Sequence, residues 1–216
     1  LAGLQHLVVQ DIFATETAIL ADVILPASAQ AEKWGTYTNT DRLIQVGRPA
    51  LAPPGQAMQD LWLIEQIARR LGADWRYWTD DDGDGHVAAQ APVARVYEEM
   101  RAVMEPLHGV PWSRLLREEA VVTPAPREDE PGHAVVFIHD FPTADGRARV
   151  VPTTFRPGAE QVDADYPFVL TTGRVLEHWH TGAMTRHASM LDAIAPEALA
   201  NLHPDDAARL GVADGG

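Results

Sequence analysis

Near the end of the chain, residues 173–182 read GRVLEHWHTG, with two histidines one residue apart behind a glutamate. On a strand His178 and His180 would share a face, as two metal ligands require, and Glu177 could add an oxygen. Trp179 stands between them, however, and no third histidine follows at helical spacing. The pattern from Arg174 to Thr181 therefore fits a hydrogen-bonded polar loop better than a metal centre. A second group is Gln10 and Asp11 with Thr15, a carboxylate at a strand end beside a helix N-terminus. Such a place suits an anion on backbone N–H groups or a ligand donor on the carboxylate; an ordinary loop or capping role for Asp11 is the alternative. The third pair is Lys33 and Asp60. An ammonium is a point charge for phosphate, and a carboxylate can accept two N–H bonds from a guanine edge. A solvated lysine and a helix-start aspartate would read the same way. No Gly-x-Ser-x-Gly elbow supports a nucleophilic serine.

The elements that must position these groups follow from the pattern. LQHLVVQD is apolar and β-branched and ends in a carboxylate, which predicts a buried strand delivering Asp11 to a crevice. Open α/β sheets bind ligands at that end of their strands. IFATETAILA predicts a helix capped by Thr15, and ADVILPA a second short buried strand broken at Pro26. EKWGTYTNTDRLIQVGR reads as polar turns with bends at Gly35 and Asn39, and a strand in its tail. The clearest helix is APPGQAMQDLWLIEQIARRLG, where Leu61, Ile64, Ile67, Ala68 and Leu71 recur at helical spacing. Asp60 stands near its start, Arg69 and Arg70 in its last turn, and Gly72 at its end. TDDDGDGH predicts a mobile acidic loop; the bidentate glutamate and flanking helix pair of an EF-hand are missing. Residues 93–108 suggest a short helix and 121–133 a linker, with further strands at AVVFIHDF and ARVVPTTF. YPFVLTTGR predicts a strand running into a glycine turn, and LHPDDAARLGVADG a proline-started helix, a combination that suits a small barrel domain.

The bulk numbers narrow the classes. With 216 residues and 46% hydrophobic content the chain can fill a core. A formal charge of −14 argues against a nucleic-acid or anionic-membrane surface. Apolar runs are too short to span a bilayer and no signal pattern opens the chain, which reads as soluble and cytoplasmic. With no cysteine, disulfides, iron–sulfur clusters and thiolate sites are excluded within these residues. The start at Leu1 and the stop at DGG read as a segment cut from a longer polypeptide.

Three longer stretches tie the constellations together. VVQDIFATETAILADVILPASAQAEKWGTYTNTDRLIQ, PPGQAMQDLWLIEQIARRLG and DYPFVLTTGRVLEHWHTGAMTR strongly resemble the molybdopterin-dinucleotide oxidoreductases. Within them the chain looks like the catalytic alpha subunit of soluble NAD-dependent molybdenum formate dehydrogenases. TYTNTDRLIQVGR, the QDLW helix and TRHASMLDAIAPEA favour that side. The periplasmic nitrate reductase catalytic subunit, with a nearly identical loop, is the runner-up, and a cofactor-less structural subunit of a respiratory complex is a third reading.

The resemblance implies an α/β fold. Residues 1–75 would end a doubly wound dinucleotide-binding domain, 76–160 would be a linker or insertion with a short helix, and 161–216 would begin a double-psi β-barrel domain. It implies a bis-molybdopterin guanine dinucleotide carrying molybdenum or tungsten. Gln10 and Asp11 would line the nucleotide crevice as part of the cofactor site, with Thr15 beside them, and Lys33 and Asp60 match nucleotide-contacting positions, Asp60 at guanine. Thr172, Gly173, Arg174, Glu177, His178, His180 and Thr181 match the loop that wraps the pterin and phosphates, so that these groups cradle a cofactor and touch no metal. His187 departs from the family, which often has arginine there. The family's metal ligand and formate-holding arginine would lie upstream of Leu1, and its iron–sulfur clusters elsewhere in the parent chain. FMN and NAD would sit in partner diaphorase subunits. A small-molecule substrate is expected, with no nucleic acid and no membrane.

Overall fold

The computed structural model describes residues 1 and 3–215, a mixed α/β chain in two compact units, Leu1–Arg149 and Val150–Gly216. The first unit opens with strand β1 (Val8–Asp11), helix α1 (Glu16–Ile19) and strand β2 (Val23–Pro26). β1 and β2 pair in parallel, Val8 opposite Val23 and Asp11 opposite Pro26, so both C-terminal ends lie on the same side. Thr15 caps the connecting helix as expected, its Oγ1 accepting from the Ala18 N–H at 3.3 Å. Pro26 has no N–H, and Ala27 extends the ladder by donating to the Asp11 carbonyl at 3.0 Å. The expected burial of these strands is not met. Val8 and Val23, paired on one face of the two-stranded sheet, and Ile24 on the other are all exposed.

The second sheet is antiparallel, in the order β3 (Gly35–Thr38), β4 (Leu43–Gly47), β5 (Ala120–Val122). GTYT, expected to be turn, is a strand because Thr36 and Tyr37 are strand formers with β4 as a ready partner. The bend falls at Asn39, whose Oδ1 accepts from the Leu43 N–H at 3.0 Å, and Arg42 takes φ 64° to close it. β5 occupies the start of the expected linker.

Ile44 and Val121 of this sheet meet helices α3 (Gln90–Val103) and α4 (Trp112–Glu118) in the main core, with Val93, Tyr97, Trp112 and Leu115. Leu115 is fully buried, which contributes roughly 2 kcal/mol. Tyr97 and Trp112 pack with ring centroids 5.5 Å apart. The Tyr97 hydroxyl donates to the Val110 carbonyl at 2.8 Å, and burial pushes its pKa up to about 12.

Helix α2 (Asp60–Arg70) runs where the sequence places it and yields to Gly72 at φ 96°. Its buried face differs from the predicted stripe. Leu63 and Glu65 are buried, whereas Ile64, Ile67 and Leu71 are exposed, Leu71 at 83%. Glu65 is 1% exposed because its Oε2 accepts the Tyr77 and Trp78 backbone N–H groups, each at 3.0 Å.

In the second unit the regular elements are α5 (Ser189–Ile194) and α6 (Pro204–Leu210). α6 begins at proline and ends at Gly211 with φ 70°, as its sequence predicts. The strand predicted at YPFVLTTGR does not form, nor do those predicted earlier in the chain at AVVFIHDF (134–141) and ARVVPTTF (148–155), among the described residues. A strand needs a neighbouring ladder, and none is at hand here; Leu170 is 93% exposed. No helix of the described residues is long and apolar enough to cross a membrane.

Candidate functional site

The stretch before α2 packs along the end of β2. Met58 N–H donates to the Pro26 carbonyl and Ser28 N–H to the Met58 carbonyl, each at 2.9 Å, around a parallel bridge between Ala27 and Met58. That ladder brings the N-terminus of α2 to the C-terminal ends of β1 and β2. Gln10 Nε2 then donates to Asp60 Oδ1 at 2.7 Å. Lys33 Nζ donates to the Ser28 carbonyl at 2.8 Å and pairs with Asp60 Oδ2. Two constellations that were separate in the sequence are thus one polar network of Gln10, Lys33 and Asp60. Asp60 also stands in the first turn of α2, where a negative charge is favoured by the helix dipole.

Asp11 and Thr15 play a different local part. Asp11 Oδ1 accepts the Ile12 N–H at 2.7 Å and the Phe13 N–H at 3.2 Å, which shapes the turn leaving β1. Thr15 is occupied as the α1 cap.

Three features of this place bear on what it could hold. Each Asp60 oxygen has one side-chain donor, a carboxylate has about four acceptor positions, and the side chain is 37% exposed. Ser28 is buried with no hydrogen-bond partner on its Oγ, an unspent polar atom beside the Lys33 contact. A cavity of about 310 Å³ opens alongside, lined by Lys33, Asp60, Trp34, Tyr37, Val96 and Met100. Charge at one edge and aromatic and aliphatic wall at another suit a flat heterocycle with a polar rim. Ser28 escaped the sequence reading because nothing in its type or spacing marks it.

The loop of the second unit is held from inside. His178 is 8% exposed; its Nε2 lies 2.7 Å from the Ala195 carbonyl and its Nδ1 3.2 Å from Thr185 Oγ1. A carbonyl only accepts, so Nε2 donates to it, and in the neutral ring Nδ1 accepts from the threonine hydroxyl. Thr185 Oγ1 in turn accepts the Trp179 N–H at 3.1 Å. The two histidines do not share a face, as a strand would require. The segment is a turn in which His180 takes φ 53° and Gly182 φ 77°, leaving His180 exposed with its ring edge-on to Trp179. Thr172, Gly173, Arg174 and Thr181 are exposed and Glu177 is half-buried. Among the described residues no three His, Asp or Glu side chains stand together as a metal site would need.

The acidic loop, expected to be mobile, is tied down instead. Asp82 Oδ2 accepts from Arg95 Nη1 at 2.6 Å and from Thr79 Oγ1 at 2.7 Å, and the Arg95 guanidinium lowers the Asp82 pKa to about 2.

Comparison with known proteins places the chain. The family model described as molybdopterin oxidoreductase matches residues 1–70, the stretch that contains Gln10, Asp11, Thr15, Lys33 and Asp60. The chain belongs to this family. A second model, the molybdopterin dinucleotide binding domain, matches residues 168–216 and so covers the loop from Thr172 to Thr181. For a molybdopterin oxidoreductase this assigns the cofactor class, a molybdopterin dinucleotide of molybdenum or tungsten.

Among the relatives, the F420-dependent formate dehydrogenase subunit alpha of Methanocaldococcus jannaschii is 40% identical over 215 residues, covering 100% of this chain and 30% of that protein. The F420-dependent formate dehydrogenase 1 subunit alpha of Methanococcus maripaludis is 33% identical over 212 residues, covering 98% and 30%. The assimilatory nitrate reductase catalytic subunit of Bacillus subtilis is 34% identical over 216 residues, covering 99% and 29%. The chain therefore spans about 30% of the length of these relatives.

Proposed function

We propose that this chain is the cofactor-holding part of the catalytic subunit of a formate dehydrogenase, which oxidises formate to carbon dioxide. The observation that carries the cofactor role is the Gln10–Asp60–Lys33 network at the ends of two parallel strands, inside the region matched to the family. The choice of formate rests on the relatives at 40% and 33% identity. Here the first section is read as the end of a doubly wound domain and the last as the start of a double-psi barrel.

When bound, the molybdenum or tungsten centre supplies the two-electron chemistry on formate. The residues of this chain do other work. Lys33 offsets phosphate charge, and the Asp60 carboxylate accepts the N–H edge of guanine. Gln10 holds the Asp60 carboxylate in place from β1. Asp11 and Thr15 keep the turn after β1 in shape beside the nucleotide. In the second unit Arg174, Thr172, Gly173 and Thr181 present donors to pterin or phosphate oxygens. His178 fixes the loop from within, and Glu177 and His180 flank it.

Electrons are read as leaving through iron–sulfur clusters elsewhere in the parent chain to flavin-bearing diaphorase subunits with FMN and NAD. Coenzyme F420 is a second acceptor reading, favoured by two relatives that are F420-dependent formate dehydrogenase alpha subunits. Nitrate is the second substrate reading, favoured by the nitrate reductase match.

The test is an anaerobic assay of the full-length protein with formate against NAD and against F420, and in parallel nitrate with a reduced dye. Formate-dependent reduction of either acceptor is the expected result. Nitrate loss without formate turnover would replace formate by nitrate while leaving the same residues in the same cofactor-holding roles.

A further inference from the structure

The residue just before Asp60 is the more unusual one. Gln59 is 2% exposed, a long amide fully inside the protein, and it makes no side-chain capping bond to α2. Its Nε2 donates instead to the Val87 carbonyl, and its backbone N–H to the Gly85 carbonyl at 2.8 Å. Two residues earlier, the Ala57 carbonyl meets His86 Nδ1 at 3.0 Å. The stretch leading into α2 is thus held on one side by the end of β2, through Met58, and on the other by residues 85–87. The acidic loop that carries those residues is itself anchored, through Asp82, to Arg95 of α3. Gly85 allows the close approach: a Cβ there would run into Cβ and the ring of Trp62, at 2.5 to 2.7 Å.

We infer that Gln59 and the loop around Gly85 are a positioning device that aims the Asp60 carboxylate and so sets selectivity for guanine among nucleotide bases. This rests on the reading of Asp60 as the guanine acceptor. Two N–H bonds from one edge of a base require both carboxylate oxygens to lie close to the plane of that base, and hydrogen bonds weaken steeply once misaligned. Asp60 is the first residue of α2, so the direction of its carboxylate follows the backbone that Gln59 locks. Cytosine offers a single exocyclic amine donor, so a loosely aimed carboxylate would discriminate poorly between the two bases. Gln59 is a positioning residue here, acting through Asp60.

The test uses the full-length protein stripped of cofactor and refilled from an equal mixture of the guanine and cytosine dinucleotide forms, followed by acid hydrolysis and counting of the released nucleotides. Gln59→Met keeps the shape without the donor, Gly85→Ala pushes the loop off Trp62, Asp60→Asn tests the acceptor itself, and Val121→Ala loosens the distant core. The expected result is a rise of about tenfold in the cytosine-to-guanine ratio for Gln59→Met, Gly85→Ala and Asp60→Asn. Val121→Ala should lower total uptake at most and leave the ratio unchanged. An altered ratio in Asp60→Asn with unaltered ratios in both Gln59→Met and Gly85→Ala would overturn the positioning role alone. Unaltered ratios in all three would remove the guanine reading of Asp60 with it, and an equal rise in Val121→Ala would reduce the effect to general loosening and overturn the inference too.

Discussion

Lys33 is the residue on which the first site turns, because it faces both a backbone carbonyl and the Asp60 carboxylate while keeping part of its surface open. Its removal leaves Asp60 with Gln10 as its remaining side-chain partner and takes away the cation for a phosphate. Hydrogen bonds to charged groups are worth about 2 kcal/mol, or more than tenfold in affinity. In Lys33→Ala of the full-length protein we expect guanine nucleotide and metal per chain to fall together, read by hydrolysis and elemental analysis; undiminished content of both would show that Lys33 holds no part of the cofactor. Asp60 was singled out from the sequence as a carboxylate at a helix start, and that much was legible. Its contact with Gln10 was not, since the two are 50 positions apart and come together through the bridge between Ala27 and Met58.

At the scale of elements, the acidic loop shows how composition misleads. Aspartates and glycines argue for mobility, but one arginine on α3 changes the outcome. Arg95 holds the Asp82 carboxyl down to about 2 against an ordinary value of 3.8, with Thr79 as a further donor. A depressed folded-state pKa means that the stabilisation is fully present above pH 3.8 and is lost as pH falls toward 2. Urea midpoints of the wild type should therefore drop over that window more than those of Asp82→Asn, and parallel curves for the two proteins would remove the pair from the acid response. Helix α2 teaches the complementary lesson. Its helical stripe was legible, yet Ile64, Ile67 and Leu71 of it are exposed while Leu61 packs against the core, and the helix is also fixed from the side by a buried glutamate that receives two backbone N–H groups. Periodicity reports which residues share a face and is silent on what that face meets.

Across the whole molecule the two units differ in how much regular structure they hold. Leu1–Arg149 carries both sheets and a packed core, whereas the described residues of Val150–Gly216 carry two short α-helices, a single 3-10 turn at Thr185–His187 and many exposed apolar side chains. Few backbone hydrogen bonds protect residues 134–176. In the 216-residue chain their amides should exchange with solvent far faster than those of α2 and α3, by orders of magnitude, as followed by mass spectrometry. Equal protection in the two regions would mean that the extended stretches are paired after all.

The sequence by itself determined the parts that depend on neighbours along the chain. Thr15 caps α1, Pro204 starts α6, Gly72 and Gly211 close their helices, and β1 and β2 lie where β-branched runs end at Asp11 and Pro26. Its family resemblance was equally legible, because long motifs keep their order whatever the fold does with them. Tertiary structure alone decided that Gln10 meets Asp60, that Gln59 is locked by Gly85 and Val87, and that His178 turns inward while His180 faces solvent. These contacts join residues whose spacing carries no periodic signal, and a buried polar group takes whichever partner the packing brings within hydrogen-bonding distance.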